Sequence, residues 1–125
     1  MTKFLFDTNV LLDYLRGHPK AAPYVEAVLN GSEKGYLSVI SLVELGRAIR
    51  DSEEGLMIDG LTSKFEIVPL TLEIATLARG LVNQRLPVAD ALIAATAIKL
   101  EATILTADKA LQSKFGSLAS YLVYR

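Results

Sequence analysis

Cysteine is absent from the 125 residues of the chain. Its absence excludes disulfide bonds, thiolate nucleophiles and zinc–thiolate sites together. Histidine occurs once, as His18, in a segment with Gly17 and Pro19 that is typical of a surface turn. A pair of histidines for acid–base cleavage is therefore excluded, and a Ser–His–Asp triad would depend on this one turn residue.

Long hydrophobic runs are also absent. None of the apolar stretches reaches the ~20 residues that a bilayer-spanning helix needs, and the N-terminus lacks the features of a signal peptide. No G-x-x-x-x-G-K-[ST] loop occurs, so P-loop nucleotide chemistry is not supported. These absences predict a cytoplasmic protein without membrane contact.

The chain does contain enough apolar residues for one ordered hydrophobic core. Hydrophobic residues make up 51% of the chain and charged residues 22%, and no repeat or linker interrupts the sequence. A length of 125 residues suits one domain, so we expect residues 1–125 to form a single unit. The net charge of −1 at first argues against a nucleic-acid partner. If metal ions neutralised four acidic groups, however, the remaining charge would be about +3, which suits a short RNA contact.

Apolar segments of strand length alternate with helical segments along the chain. The predicted strands are 3–6, 36–39, 65–68, 103–105 and 121–124. A first helix is predicted to follow the first strand and to end at 16. A second is predicted to open at Pro19 and to be closed by Gly31, and another, capped by Thr71, is predicted to run to 84. The remaining predicted helices span 42–50, 53–63, 88–100 and 109–115. This alternation predicts an α/β fold with a central parallel β-sheet flanked by α-helices on both faces.

Two acidic residues follow predicted strands. Asp7 comes directly after the first strand, and Asp108 follows the strand at 103–105 after a gap of two residues. In an open α/β sheet, ligands bind outside the carboxyl ends of the strands. We therefore expect both carboxylates to stand at that edge of the sheet.

Two further acids lie within apolar stretches. Asp90 belongs to a helix that is apolar on nearly every side, and no Lys or Arg lies three or four residues away from it on that helix. Glu44 is the single acid of the segment 39–45. An unpaired buried carboxylate costs several kcal/mol even after relaxation. A bound cation would compensate for this cost, and we expect the acids to crowd into one dry pocket.

Ordinary structural roles could also account for each acid singly. Asp7 and Asp108 could cap the helices that follow them. Ser41 and Glu44 have the spacing of a capping box, and Asp90 near a helix start would gain roughly 0.3–1 kcal/mol from the helix dipole. Capping does not explain why all four acids have apolar neighbours in the sequence. The two interpretations are nevertheless compatible, because helix N-termini at a strand edge can build such a site.

Four carboxylates without cysteine or clustered histidine favour a hard cation, Mg²⁺ or Mn²⁺. Two such ions about 3.5–4 Å apart can activate a water and stabilise the leaving oxygen of a phosphodiester. The residue types of this sequence therefore favour hydrolysis by a metal-activated water.

Four segments of the chain resemble the PIN-domain nucleases, specifically the toxins of VapBC-type toxin–antitoxin pairs. The matching segments are 6–13, 38–44, 87–97 and 105–108, in the order and at the spacing of that family. The resemblance implies a PIN fold and cleavage of RNA by an endoribonuclease that depends on Mg²⁺ or Mn²⁺. It also implies a cognate antitoxin that covers the site, and a homodimer. Residues 51–64 match nothing in particular.

The resemblance assigns site residues by their place in these segments. Asp7 and Asp90 are the foremost metal ligands that it implies, Asp108 comes next, and Glu44 would serve a second site or act through water. We assign the orientation of the carboxylates and of bound water to three neighbours of these acids. These neighbours are Thr8, Asn9 and Thr106.

Cationic side chains are candidates for phosphate contacts. The candidates are Arg47, Arg50, Arg79, Arg85 and Lys109. Arg85 and Lys109 are preferable because each lies close in sequence to one of the acids.

Three other functions compete with a toxin nuclease. A phosphatase of the haloacid dehalogenase type needs a second acid two residues after the first, and Asn9 occupies that position here. A non-catalytic PIN-like module that binds RNA or protein would be favoured by loss of an acid, but all four are present. A PIN nuclease of RNA processing without an antitoxin remains an alternative.

Overall fold

The structure, a computed structural model, describes residues 2–84 and 86–124. Its strands are β1 (Lys3–Phe6), β2 (Lys34–Ser38), β3 (Glu66–Val68), β4 (Thr103–Thr106) and β5 (Ser120–Val123). Its helices are α1 (Thr8–Leu15), α2 (Ala22–Leu29), α3 (Val39–Ala48), α4 (Ser52–Thr62), α5 (Leu72–Val82), α6 (Val88–Leu100) and α7 (Lys109–Phe115). None of these helices is long and apolar enough to cross a membrane.

The strands form one parallel sheet in the order β3-β2-β1-β4-β5. The strand order reverses at β1, because the chain first adds β2 and β3 on one side and later adds β4 and β5 on the other. Such a switch point leaves a crevice at the carboxyl ends of the two central strands, where connections diverge. The fold therefore places a crevice at the ends of β1 and β4.

Helices cover both faces of the sheet, as the sequence predicts. Successive side chains of a strand point to opposite faces, and Leu5 and Phe6 of β1 belong to two separate hydrophobic clusters. The cluster of Leu5 includes buried residues of α5 and α6, whereas that of Phe6 includes residues of α1, α2 and α4. The prediction of a three-layer α/β fold is confirmed.

The predicted start of the second helix was wrong. A helix beginning near Pro19 was expected, but α2 begins at Ala22 and carries Pro23 in its first turn. The chain first makes a turn in which the Ala21 N–H donates to the His18 carbonyl oxygen at 3.2 Å. The expected end of this helix is correct, because Gly31 follows α2 with a φ of +83°, a conformation that glycine adopts readily.

The boundary between β2 and α3 also differs from the prediction. A strand through Val39 and a helix from about residue 42 were expected, but β2 ends at Ser38 and α3 begins at once. The Ser38 side chain caps α3 by accepting the Ile40 N–H at 3.1 Å. Ser41 is therefore inside the helix, and the capping-box interpretation of Ser41 and Glu44 is wrong. The strand ends here because Ser38 is the last residue of β2 that pairs with β3.

Candidate active site

A cavity of about 300 Å³ lies at the carboxyl ends of β1 and β4. One part of its lining is acidic and polar, and the other part is apolar with one phenol. The acidic and polar residues are Asp7, Thr8, Asn9, Glu44, Asp90 and Asp108. The others are Ala48, Ile93, Ile104, Leu111 and Tyr121. The structure thus brings together all four acids that the sequence singles out.

Asp7 is held in place by both central strands. Its own N–H donates to the Leu105 carbonyl oxygen at 2.8 Å, which continues the hydrogen bonding of β1 with β4. Its Oδ1 accepts the Thr8 N–H at 2.8 Å and so caps α1. Its Oδ2 accepts the hydroxyl of the fully buried Thr106 at 2.7 Å. The capping interpretation of Asp7 is therefore correct, and the same carboxylate also lines the cavity.

Thr106 connects Asp7 with Asp108. The Thr106 Oγ1 that donates to Asp7 also accepts the Asp108 N–H at 3.0 Å. The Asp108 Oδ1 accepts the Ala110 N–H at 2.9 Å and so caps α7. Asp108 is nevertheless exposed, because it stands on the outer rim of the cavity. The expectation of a dry pocket that encloses all four acids was therefore wrong for this residue.

Glu44 approaches the site from the middle of α3. Its Oε1 accepts the Thr8 hydroxyl at 2.8 Å, which joins α3 to the first residue of α1. Thr8 therefore contacts two acids, Asp7 through its backbone and Glu44 through its side chain. Glu44 is half-buried, and its position depends on the early start of α3.

Asp90 lies in the first turn of α6 and is half-buried. Within residues 2–84 and 86–124 no hydrogen bond or ion pair is found for its carboxylate. Burial raises its pKa, and the negative charges of Asp7, Glu44 and Asp108 raise it further. The pKa of Asp7 is raised as well, because burial outweighs the hydrogen bonds from Thr106 and Thr8. Both carboxyl groups therefore hold protons more tightly than a solvated aspartate does.

The part of the chain that the structure describes contributes no Lys or Arg to the lining of this cavity. Lys109 is exposed on the first turn of α7, and Arg47 and Arg79 are exposed on α3 and α5. Arg50 forms an ion pair with Glu54 instead. Arg85 lies outside the described residues. None of these described cations lines the cavity itself, and the prediction that Arg85 and Lys109 contact a phosphate stays a prediction.

Sequence reasoning missed Tyr121, which lines the cavity from β5. It is paired with Ile104, so both side chains lie on the same face of the sheet and reach the same cavity. Burial, Asp90 and Asp7 raise the pKa of the Tyr121 phenol to about 12. The hydroxyl group therefore keeps its proton at neutral pH and can donate a hydrogen bond. Only the register of β5 against β4 reveals this position.

The arrangement of oxygen atoms suits a hydrated cation better than a closed cage. Among the described residues, no three acidic or histidine side chains already surround one point as a coordination shell. Mg²⁺ usually keeps several waters and takes one or two carboxylates directly, and substrate phosphates complete its shell. Asp7 and Asp90, with raised pKa values and no cationic neighbour in the cavity, are carboxylates that a cation would stabilise in their charged form. The residues present therefore fit Mg²⁺ or Mn²⁺.

A family model described as PIN domain matches residues 4–116 of the chain. The chain is also 34% identical over 113 residues to Ribonuclease VapC19 of Mycobacterium tuberculosis, with 83% of this chain and 87% of the relative covered. The chain belongs to the PIN-domain family. The resemblance found in the sequence motifs is thereby confirmed.

Solved structures with similar folds agree with this assignment. A toxin–antitoxin complex from Klebsiella pneumoniae matches with a TM-score of 0.79 and 23% identity over 97% of each chain. VapBC2 from Rickettsia felis, bound to a DNA fragment from their promoter, matches with a TM-score of 0.80 and 19% identity. That match covers 99% of this chain and 100% of the other. At these identities the likeness confirms the fold, a central parallel sheet flanked by helices.

Proposed function

We propose that this protein is a metal-dependent endoribonuclease that hydrolyses phosphodiester bonds of RNA. The observation that carries the proposal is the meeting of four carboxylates from separate parts of the chain in one cavity. These carboxylates are Asp7, Glu44, Asp90 and Asp108. RNA as the substrate is supported by the similarity to a relative that is named a ribonuclease.

The proposed ligands of Mg²⁺ or Mn²⁺ are foremost Asp7 and Asp90, then Asp108. Glu44 would act at a second site or through a water molecule. A bound divalent cation would supply a water that loses its proton near neutral pH, and positive charge against the phosphate. Asp7 and Asp90 would hold that cation because burial and neighbouring carboxylates raise the pKa of both, and a cation would offset this cost of their charged forms.

The polar neighbours of the acids would orient them. Thr106 fixes Asp7 Oδ2 by a 2.7 Å hydrogen bond, and Thr8 fixes Glu44 Oε1 by a 2.8 Å hydrogen bond. Both oxygen atoms of Asp7 accept one hydrogen bond, from Thr8 and Thr106, and each keeps a further lone pair that a cation could use. Asn9 lines the cavity and is exposed, so its amide can reach a bound water or the substrate. Tyr121 can donate a hydrogen bond from its phenolic hydroxyl group to a phosphate oxygen, because its pKa of about 12 keeps that group protonated.

Cleavage of a structured RNA mixture by the purified chain tests this function. EDTA should stop the cleavage, and added Mg²⁺ or Mn²⁺ should restore it. Two variants of exposed residues outside the cavity, Lys64→Ala and Lys20→Ala, control for the effects of substitution and should cleave as the unmodified chain does. Cleavage that is indifferent to the chelator would contradict the metal assignment.

We further propose that the nuclease is the toxin of a toxin–antitoxin pair and forms a homodimer. Support for the toxin role comes from structures of similar fold that are described as toxin–antitoxin complexes, whereas the homodimer is carried over from the resemblance of the sequence motifs. Expression of the chain alone should arrest growth of a bacterial host, and co-expression of the adjacent small gene should relieve the arrest. Light scattering of the purified chain tests the homodimer. RNA cleavage without growth arrest would favour a nuclease of RNA processing instead.

A further inference from the structure

A second cavity, of about 440 Å³, adjoins the acidic one. The two cavities share Asp90, Asp108 and Leu111. Beyond these shared residues the second cavity has its own lining from the α5–α6 connection and from α7. That lining consists of Gln84, Pro87, Ala110, Lys114 and Phe115. Because the shared residues belong to both, the two cavities form one groove that passes the acids.

The second cavity carries a cation, which the described lining of the first does not. Lys114 is exposed in the last turn of α7, and it forms no ion pair within residues 2–84 and 86–124. Residues three and four apart on a helix lie on one face, so Lys114 stands on the same face of α7 as Ala110 and Leu111. Among the residues that the structure describes, the groove therefore runs from an acidic part to a part that holds the unpaired Lys114.

The rest of the second cavity suits a nucleobase. Phe115 is half-buried and Pro87 is exposed, so both offer apolar surface to a flat ring. Gln84 is exposed and offers an amide that both donates and accepts hydrogen bonds. Aromatic side chains that stack on unpaired bases, next to a cation on the backbone, are the usual means of binding single-stranded nucleic acid.

We propose that this second cavity binds the nucleotide next to the scissile phosphodiester of a single-stranded RNA. Lys114 contacts the phosphate of that nucleotide, and its base lies against Phe115 and Pro87. The inference rests on the proposed ribonuclease function and adds the path of the substrate to it. RNA is favoured over a polypeptide because the groove is continuous with the four acids and its own lining adds a cation, which suits a phosphate next to the one at the acids.

The test is the cleavage kinetics of a short single-stranded RNA in Mg²⁺ at several salt concentrations. Lys114→Ala should raise KM about two- to five-fold, as expected for an exposed charge pair, and should leave kcat nearly unchanged. The slope of log KM against log salt should fall by about 0.7, the value for one phosphate contact on a single strand. Lys64→Ala is the matched control, because Lys64 is an exposed lysine before β3, at the opposite edge of the sheet.

A second variant tests the base contact. Phe115→Leu keeps an apolar side chain against the hydrophobic cluster that Phe115 packs on but removes the aromatic ring. It should raise KM for single-stranded RNA while the melting temperature stays within a few degrees of that of the unmodified chain. An unchanged KM would contradict the proposed contact with the base.

The outcomes separate this inference from the proposed function. If the chain cleaves RNA and Lys114→Ala behaves as Lys64→Ala does, the second cavity is not a nucleotide site, and the ribonuclease proposal stands. If Lys114→Ala weakens only inhibition by the antitoxin, the groove binds a polypeptide, and the inference is overturned. If the unmodified chain neither binds nor cleaves RNA, both proposals fall.

Discussion

Two regions of this molecule shift the pKa of a carboxyl group in opposite directions. Glu54, at the start of α4, is only 7% exposed and is surrounded by donors. Its oxygen atoms accept hydrogen bonds from Arg16 Nη2 at 2.9 Å and from Arg50 Nη2 at 3.0 Å. These bonds and the Arg50 backbone N–H lower the pKa of Glu54 to about 2. At the candidate site, burial raises the pKa of Asp7 and Asp90.

The difference separates a carboxylate whose charge is neutralised by arginines from carboxylates that have no such partner among the described residues. Glu54 joins Arg16, which follows α1, to Arg50 in the α3–α4 connection. Arg16 also donates to the carbonyl oxygen of Ala48, the last residue of α3, at 2.9 Å. The charge of Glu54 is neutralised within the protein. The acids of the cavity have no cationic partner among the described residues, and carboxyl groups with a raised pKa in a cleft are candidates for a functional site.

The largest expected effect is the loss of cleavage in Asp90→Asn. A residue that supports a metal ligand typically costs about 10–100-fold in activity when it is removed, so loss of a direct ligand should cost at least as much. The melting temperature should stay the same or rise by a few degrees, because one of several like charges is removed. Initial rates of RNA cleavage and a thermal melt measure both. Near-normal cleavage would overturn the assignment of Asp90 as a ligand.

Thr106→Val should have the next largest effect on activity. It removes the hydroxyl that orients Asp7 and accepts the Asp108 N–H but nearly keeps the shape of the side chain. We expect a loss of about 10–100-fold in cleavage and a higher Mg²⁺ concentration at half-maximal rate. Thr103→Val on the same strand is a suitable control. Equal rates in the two variants would show that Thr106 has no orienting role.

Glu54→Gln should affect stability and leave cleavage nearly unchanged, which is the opposite of the effect expected for Asp90→Asn. It removes the charge that neutralises Arg16 and Arg50, so the melting temperature should fall by several degrees. The rate of RNA cleavage at a temperature where the variant is folded should stay within about two-fold of the unmodified chain, because Glu54 does not line the cavity. A large loss of activity in the folded variant would contradict the separation of the two regions.

The smallest expected effect is a change of stability with pH in metal-free protein. The raised pKa of Asp7 means that the native state binds its proton more tightly than the unfolded chain, whose value lies near 3.8. The free energy of unfolding should therefore rise as pH falls from neutrality towards about 4. Below about 4.5 the opposite contribution of Glu54 begins, because its stabilisation is lost as it takes up a proton between 4.5 and about 2.

Denaturant unfolding across this pH range measures the two contributions. In Asp7→Asn the rise between neutral and mildly acidic pH should become smaller, whereas the loss below pH 4.5 should remain. In Glu54→Gln the reverse is expected. The same pH dependence in both variants would contradict the assignment to these residues.

Much of the fold could be predicted from local sequence. The bounds of α6 and α7 agree with the prediction to the residue, and Thr71 caps α5 as expected by accepting the Ile74 N–H. These helices could be predicted because the apolar pattern and the capping residue of each lie within one short segment of the chain. The start of α2 was predicted wrongly because a turn, closed by the Ala21 N–H on the His18 carbonyl oxygen, comes first. The start of α3 was predicted wrongly because it depends on pairing with another strand. β2 ends at Ser38 where its pairing with β3 ends.

The sequence by itself determined that the chain alternates strands and helices, and that Asp7 and Asp108 follow two of its strands. It also showed that Asp90 lies within apolar sequence. These features could be predicted because the order of residue types along one segment is enough to indicate a cap or a buried helix. Only the tertiary structure decided that β1 and β4 lie side by side. That pairing brings Asp7 beside Thr106 and lets β5 place Tyr121 against the acids.

The exposure of Asp108 and the groove that reaches Lys114 were likewise decided by packing. Both depend on how α7 lies beside α6 and the sheet, and no local pattern records that arrangement. Distances between residues far apart in sequence are set by the whole core, whereas caps and periodicities are set by neighbours in the chain.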